Sequence, residues 1–379
     1  MKVYDYIILG AGASGLMLAY RMANDAFFDD KSILIIDKDA DKGNDRTWCY
    51  WEEGKGEWDD ILHKEWENIY FGSSVFEETK SILPYTYKMI RSEAFYKSLW
   101  LRINKAENIS FLKASVDGFS EQSEVEVNTC KGVYKAKKLF NSIVDTSFLQ
   151  QKKYPVLQQH FVGWFVKTEA DVFDDSTATF MDFTVPQKGN TRFMYVLPTS
   201  KREALFEYTL FSKDLLEISE YEDAIKDYLE EKNIANYEIV ETEKGSIPMT
   251  SFKFSKLNTK NVLHIGTAGG WTKASTGYTF RNTTKKTKSL IQFLKSNDDL
   301  SQFGKTTKFW FYDLLFLDVL ANENAKGYKL FSALFKNAKT KTIFKFLDEE
   351  SSFLEDLKII TAVPTIQFTK VLFKRLFQL

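Results

Sequence analysis

Glu207 is the lone carboxylate in the run ALFEYTLF, residues 204–211, among apolar and aromatic neighbours. Side chains alternate between the two faces of a strand. Leu205, Glu207, Thr209 and Phe211 would therefore share one face, and Ala204, Phe206, Tyr208 and Leu210 the other. If the first face meets water, the acid is a solvated surface group. If it meets an apolar enclosure, desolvation raises its pKa and keeps a proton on it for donation. The run alone leaves both readings open.

A different chemistry lies at the N-terminus. YDYIILGAGASGLMLAYRMA places Gly10, Gly12 and Gly15 between an apolar strand and a helix with Leu16, Ala19 and Met22 on one side. A second apolar run, SILIID, ends on Asp37, about 20 residues beyond Gly15. Gly10 permits the tight turn, Gly12 the approach of a pyrophosphate, and Gly15 the close packing of helix on sheet. The helix N-terminus offers free N–H groups to phosphates, and Asp37 is placed for a ribose diol. A dinucleotide cofactor follows.

Other chemistry-bearing residues are sparse. His63, His160 and His264 are scattered, and His264 in VLHIG reads as a hydrogen-bonded core residue. Cys49 and Cys130 cannot build a disulfide framework, and no Cys/His cluster has metal-ligand spacing. A reducing compartment and no metal are expected.

These groups need elements to hold them. Beyond residue 38 the βα alternation lapses, and DRTWCYWEE (45–53) reads as an aromatic, charged loop. Residues 86–105 read as a helix capped by Ser92, and short strands follow from 109 to 145. HFVGWFVKT, ATFMDFTV, RFMYVLPT and ALFEYTLF form an antiparallel meander between charged turns, and a helix spans about 220–233. KGSIPM (244–249) breaks the chain; NVLHIGTAGG then runs a strand into a second glycine turn. From about 281 the chain is helical.

Composition sets outer bounds. The 379 residues suffice for about two domains. With 51 basic and 52 acidic residues, no polyanionic partner is indicated, nucleic acid included. No apolar run reaches the roughly 18 residues that span a bilayer, and the N-terminus enters a strand without a cleavable signal. The 33 Phe, 18 Tyr and 8 Trp must mostly be core, yet would also suit a long apolar ligand.

The order of motifs resembles one family over nearly the whole chain, the flavin-dependent lycopene cyclases of the bacterial and plant β-cyclase type. The carriers are the three glycines, Arg46-Thr47-Trp48, GWFV with Met181-Asp182-Phe183, FMYVLP leading into LFEYT, and IGTAGGWTKASTGYTF. LFEYT corresponds to the family's Phe-Leu-Glu-Glu-Thr-like motif, with Glu207 on its functional acid and Tyr208 in place of the second Glu. VFEET at 75–79 spells that motif more closely, but its charged setting assigns Glu77 and Glu78 to the surface. The late turn carries Lys273-Ala274, where a small apolar residue or His followed by Pro is expected.

The resemblance implies a glutathione-reductase-like α/β architecture. Residues 1–80, 106–150 and 245–285 would form an FAD-binding Rossmann domain, 151–244 an antiparallel-sheet substrate domain, and 286–379 a C-terminal helical region. Arg46 and the late-turn glycines Gly266, Gly269, Gly270 and Gly277 would join Gly10, Gly12, Gly15 and Asp37 in holding FAD. Trp48, Asp182, Phe183 and Tyr208 would line the substrate. The implied reaction protonates a terminal alkene of lycopene, closes a β-ionone ring and releases a proton, with reduced FAD and no net redox change. It leaves room for NADPH as an indirect reductant. A hydrocarbon substrate implies a cytoplasmic protein peripheral to the inner membrane, with Phe368, Leu372, Leu376 and Leu379 as one apolar face of the tail. FWFYDLLFLDVL (309–320) is a second candidate contact. A flavin monooxygenase or dehydrogenase shares the first fingerprint, but should show Gly-Asp at the late turn, which reads IGTAGG here.

Overall fold

The computed structural model describes residues 2–39 and 41–377. Strand β1 (Val3–Leu9) turns at Gly10 into helix α1 (Ala13–Ala23), and β2 (Ile33–Asp37) returns parallel to β1. Gly10 has a φ of +93°, and a Cβ on Gly15 would lie 1.9 Å from the Gly10 carbonyl oxygen. Neither position accepts a side chain, which is the packing reason for the glycine spacing.

The chain then builds β3 (Thr47–Glu53), β4 (Lys64–Trp66), β5 (Asn68–Gly72), β6 (Glu77–Ser81) and β7 (Tyr85–Arg91), followed by α2 (Ser92–Ile103). Next come β8 (Ile109–Lys113), β9 (Val116–Glu121), β10 (Val125–Thr129) and β11 (Gly132–Asn141). The first sheet runs β8-β2-β1-β11-β10-β9. Ile8 faces one side of it, in a core with Leu16, Phe95 and Phe280, while Ile7 and Leu9 face the other, with Val125 and Val127.

The second sheet takes β12 (Val156–Thr168), β13 (Thr177–Asp182), β14 (Thr191–Pro198), β15 (Glu203–Ser212) and, after α3 (Ile218–Glu231), β16 (Tyr237–Thr250). Its order is β16-β12-β15-β14-β13-β5-β6. All pairs are antiparallel except β13 on β5. β17 (Val262–His264) then rejoins the first sheet beside β11, and α4 (Phe280–Leu294) packs on α1. The rest is helical: α5 (Lys308–Asn322), α6 (Gly327–Asn337), α7 (Thr340–Leu347), α8 (Phe353–Ala362) and α9 (Thr365–Leu376).

Several expectations need correction. Residues 47–53 are a strand, not a loop: Trp48 and Tyr50 enter the first core, while Cys49 and Trp51 enter a second one. Buried on both faces, β3 shows no apolar–polar alternation to read. Residues 85–91 are a strand as well, so the helix begins at Ser92, whose hydroxyl donates to the Gly43 carbonyl instead of capping. KGSIPM does not break the chain; it lies within β16, an edge strand, where Pro248 is tolerated. The expected boundaries shift accordingly, because 68–72, 77–81 and 245–250 all belong to the second sheet. Glu77 and Glu78 are exposed on β6, as their setting suggested.

The aromatic surplus is largely structural. Phe71 stacks on Phe335 at 4.4 Å, Phe183 on Phe331 at 5.3 Å and Trp51 on Phe344 at 4.7 Å, joining the second sheet and β3 to the C-terminal helices. The 309–320 segment is a core helix, with Phe309, Leu314, Leu317 and Leu320 buried. Buried ion pairs reinforce this seam. Lys273 Nζ lies 3.0 Å from Asp313 and 3.2 Å from Glu349, so this residue of the late turn points into the helical region. Arg281 pairs with both Glu52, at 2.7 Å, and Asp348, at 2.8 Å. Lys273→Ala would leave Asp313 buried without its counter-charge. It should lower unfolding free energy by about 3–5 kcal/mol, read from the urea midpoint.

Candidate active site

β15 alternates as its sequence indicates. Ala204, Phe206, Tyr208 and Leu210 pack against α3 in a third core with Tyr221, Ile225 and Leu229. The opposite face does not meet bulk water. Leu205 and Glu207 line a cavity of about 640 Å³ between the two sheets, and Phe211 joins the second core.

Glu207 has a partner that sequence reading missed. Gly163 on β12 is in register with Glu207 on β15 and with Glu243 on β16. Residues opposite one another across a ladder point to the same face, so Glu207 and Glu243 flank a residue without a side chain. Two strand spacings separate their backbones by about 10 Å. Their side chains lean over the glycine and meet, with the Glu207 carboxyl hydrogen-bonding Glu243. A Cβ on Gly163 would sit 2.9 Å from Leu205 Cδ1, 3.1 Å from Glu243 Cγ and 3.5 Å from Glu207 Cγ, filling the space they use. Tyr195 on β14 continues the row beyond Glu207.

Hydroxyl groups anchor each acid. Thr209 Oγ1 donates to Glu207 Oε1 at 2.8 Å, and Thr47 Oγ1 donates to Glu243 Oε2 at 2.7 Å. Burial pushes the Glu207 carboxyl well above the usual glutamate range, and the Glu243 charge pushes it further. Burial also raises Glu243, but the Thr47 hydroxyl, the Arg91 guanidinium and the Glu207 hydrogen bond hold it down. Both carboxyls are raised, so the pair keeps a proton, and the groups that hold Glu243 down favour Glu207 as its holder.

Cys49, Tyr87, Tyr195 and Tyr278 close the same end of the cavity. Burial raises all four, so they stay neutral, and the phenols of Tyr87 and Tyr195 converge on Tyr278. The Tyr278 hydroxyl has no well-aligned partner, an unsatisfied polar atom at the wall. None of the described side chains at this end is cationic.

At the other end lie Gly12, Ala13 and Ser14 of the α1 N-terminus, with Lys42 and Arg46. No side chain caps α1, and nothing lies within 4 Å of where a Gly12 Cβ would be. Gly266 and Gly277 also reach this wall, and Trp48 stacks on Phe280 at 5.2 Å beside it. Gln159 Oε1, Thr276 Oγ1 and Thr283 Oγ1 are buried cavity-wall atoms without partners. Free helix N–H groups, open space at Gly12 and orphaned polar atoms fit a phosphate-bearing dinucleotide.

Other expected site residues lie elsewhere. Asp37 accepts from the Ala11 N–H at 2.6 Å and pairs with Lys42 at 3.1 Å, and Lys42 rather than Asp37 lines the cavity. Gly10 and Gly15 shape the turn behind it. Gly269 and Gly270 press against the His264 carbonyl and Phe254 without reaching it. Asp182 is not substrate-lining: it is fully buried, accepting from Tyr228 at 2.7 Å and from the Thr184 hydroxyl at 2.6 Å. Phe183 is core packing on Phe331. Tyr208 faces α3 and accepts from Arg192 Nη1 at 3.3 Å, on the far side of the sheet from Glu207. His264 is half-buried beside Asn258 and Phe119, a structural residue.

The two large sheets, the three-stranded β3-β7-β4 sheet and the C-terminal helices have the α/β fold of the FAD-dependent oxidoreductases. A geranylgeranyl bacteriochlorophyll reductase-like protein from Thermoplasma acidophilum is similar at TM-score 0.68 and 13% identity, covering 98% of this chain and 99% of that one. The flavin-dependent brominase Bmp2 is similar at TM-score 0.55 and 14% identity, over 95% and 93%. A variant of the halogenase PltM in complex with FAD is similar at TM-score 0.55 and 10% identity, over 92% and 79%. No curated protein matches the sequence. Residues 5–372 match the lycopene cyclase protein family, and the chain belongs to it.

A carboxyl with a raised pKa favours folding below the ordinary glutamate range, and that contribution is lost as pH rises through the raised value. Glu207→Gln removes this loss. The variant should gain on the parent protein as pH rises from about 5, by up to about 1.4 kcal/mol per pH unit, in thermal melts taken across pH.

Proposed function

We propose that the protein is a lycopene β-cyclase, which closes the linear ends of lycopene into β-ionone rings in carotenoid biosynthesis. Family membership supports the substrate class. The observation that carries the chemistry is a carboxylic acid kept protonated at the cavity end, with phenols around it and no cationic side chain among the described residues that line that end.

Protonating an alkene requires an acid that water has not already deprotonated, and Glu207 meets that need. The tertiary carbocation that forms favours π faces and negative charge. Tyr87, Tyr195 and Tyr278 offer the first, and Glu243 the second. Leu197 and Leu205 keep the end apolar, which protects the cation from capture by water. Proton gained and proton lost leave the molecular formula unchanged.

FAD is the cofactor that the other end would take. The α1 N-terminus with Gly12 would hold its pyrophosphate, Arg46 its phosphates from the loop side, and Gly266 and Gly277 would approach it from the late turn. Reduced FAD, when bound, would supply negative charge to the cavity. NADPH would act only upstream, as a source of reducing equivalents.

The substrate dissolves in lipid, and membrane contact falls to α8 and α9. No helix among the described residues is long and apolar enough to cross a membrane. Phe368, expected on the lipid face, packs inward with Val371 against α5, and Arg375 is clamped by Asp318 at 2.6 and 2.7 Å. Leu379 and Gln378 lie outside the described residues. The exposed apolar side chains include Phe353, Leu354, Leu357 and Ile360 on α8, and Ile366, Phe373, Leu376 and Phe377 on or beside α9, interspersed with Lys358, Lys370 and Lys374. Apolar groups amid lysines suit the surface of an anionic bilayer.

Expression in lycopene-accumulating cells tests the reading: cyclised pigment of unchanged mass is expected, and an oxygenated or dehydrogenated product would overturn it. Glu207→Gln should cut ring closure by about 10²–10⁴ while retaining flavin absorbance. Replacing Phe353 and Phe373 by Asp should weaken co-sedimentation with anionic vesicles by about tenfold or more per residue. Unchanged sedimentation would place the lipid contact elsewhere.

A further inference from the structure

We propose that Glu207 and Glu243 form a single-proton dyad over Gly163, in which Glu207 delivers the proton and Glu243 takes the ring proton back. The proposal rests on the cyclase reading and adds to it a second catalytic residue, on a different strand. Four observations carry it. The two acids occupy one row across three strands, with the only residue between them a glycine. Both line the cavity. Each is anchored by its own threonine, Thr209 or Thr47, so that the carboxyls are held rather than mobile. The Gly163 contacts show that a methyl group there would displace Leu205 and crowd Glu243, with Glu207 in contact beside them.

The step balances within the pair. The Glu207 O–H bond breaks as a C–H bond forms on the terminal alkene carbon. A second alkene supplies the electron pair for the new C–C bond. A ring C–H bond then breaks, its electrons form the ring double bond, and its proton goes to the Glu243 carboxylate. The hydrogen bond between the acids returns that proton to Glu207, so the site resets with no external acid or base. Two like charges in contact in a dry site resist full ionisation, which keeps one proton between them.

The surrounding groups leave the dyad as the site that titrates. Arg91 on β7 is permanently charged and engaged by Glu241, with its guanidinium 4.0 Å over Phe165. Cys49 on β3, Tyr87 on β7, Tyr195 on β14 and Tyr278 on the late turn are all pushed upward and stay neutral.

The test uses the flavin-loaded full chain, with lycopene in vesicles and the flavin reduced by dithionite. Glu243→Gln preserves shape and should lower kcat at least about 100-fold. Removing the Glu243 charge also makes Glu207 easier to deprotonate, so the alkaline limb of any residual activity should move to lower pH. A structural role would not move that limb. Gly163→Ala should lower kcat with flavin absorbance unchanged. Thr47→Val, which frees Glu243 without altering a residue of the second sheet, provides a second measure, with the same limb expected to shift. Wild-type kcat and an unmoved limb in Glu243→Gln would overturn the dyad, and the cyclase reading would survive if Glu207→Gln is still inactive. Absence of ring closure in the unmodified protein would instead overturn the cyclase reading.

Discussion

On the cyclase reading proposed here, Glu207 gives its proton to a hydrocarbon and has to be kept from giving it to water first. That constraint fits the cavity between the first and second sheets. Burial alone would raise the Glu207 pKa, but a solitary buried acid is costly, and it would also have nothing to take the proton back. In the proposed dyad the second carboxyl, on Glu243, answers both needs, and Gly163, in register between the two acids, leaves the room that a side chain there would take.

Such a gap is stable only if the strands around it cannot shift. The second sheet is held on one face by α3 and on the other by the C-terminal helices, through aromatic stacks and cores with few exposed residues. Tight packing of this kind tolerates little displacement, so the row Glu243–Gly163–Glu207–Tyr195 keeps its register. β3 joins the two ends of the cavity: Trp48 packs beside the α1 end, and Thr47, one residue away, fastens Glu243. Lys273 and Arg281 serve the seam from the other side, tying the late turn and α4 to the C-terminal helices.

Much of this was legible where one local signal decides the outcome. The glycine turn, β1, α1, β2 and the late strand follow from spacing that steric packing enforces, and the alternation in ALFEYTLF put Glu207 on the correct face. Legibility failed where two distant segments decide together. β3 is buried on both sides, so its alternation is between two cores rather than between core and water. Pro248 and Gly245 looked like breakers because an edge strand cannot be told from a turn without its partner. Losing β16 meant losing Glu243, since no local pattern connects residues 207 and 243. Asp182 and Phe183 were singled out by a motif, yet one ties Tyr228 to the sheet and the other fills the core. A motif marks constraint without saying whether the constraint is chemical.

The same strand geometry explains why Tyr208 is no defect. A second acid directly after Glu207 would point through the sheet to the α3 side, where Arg192 lies, paired to Glu220 at 2.7 Å and bonded to the Tyr208 hydroxyl. Adjacent residues on a strand face opposite ways, so no choice at 208 could place a carboxyl beside that of 207. A charge at 208 would belong to the Arg192 network and would reach the cavity only through the backbone. The paired acid has to come from across the ladder, two strands away. In this chain it does, and the substitution at 208 leaves it untouched.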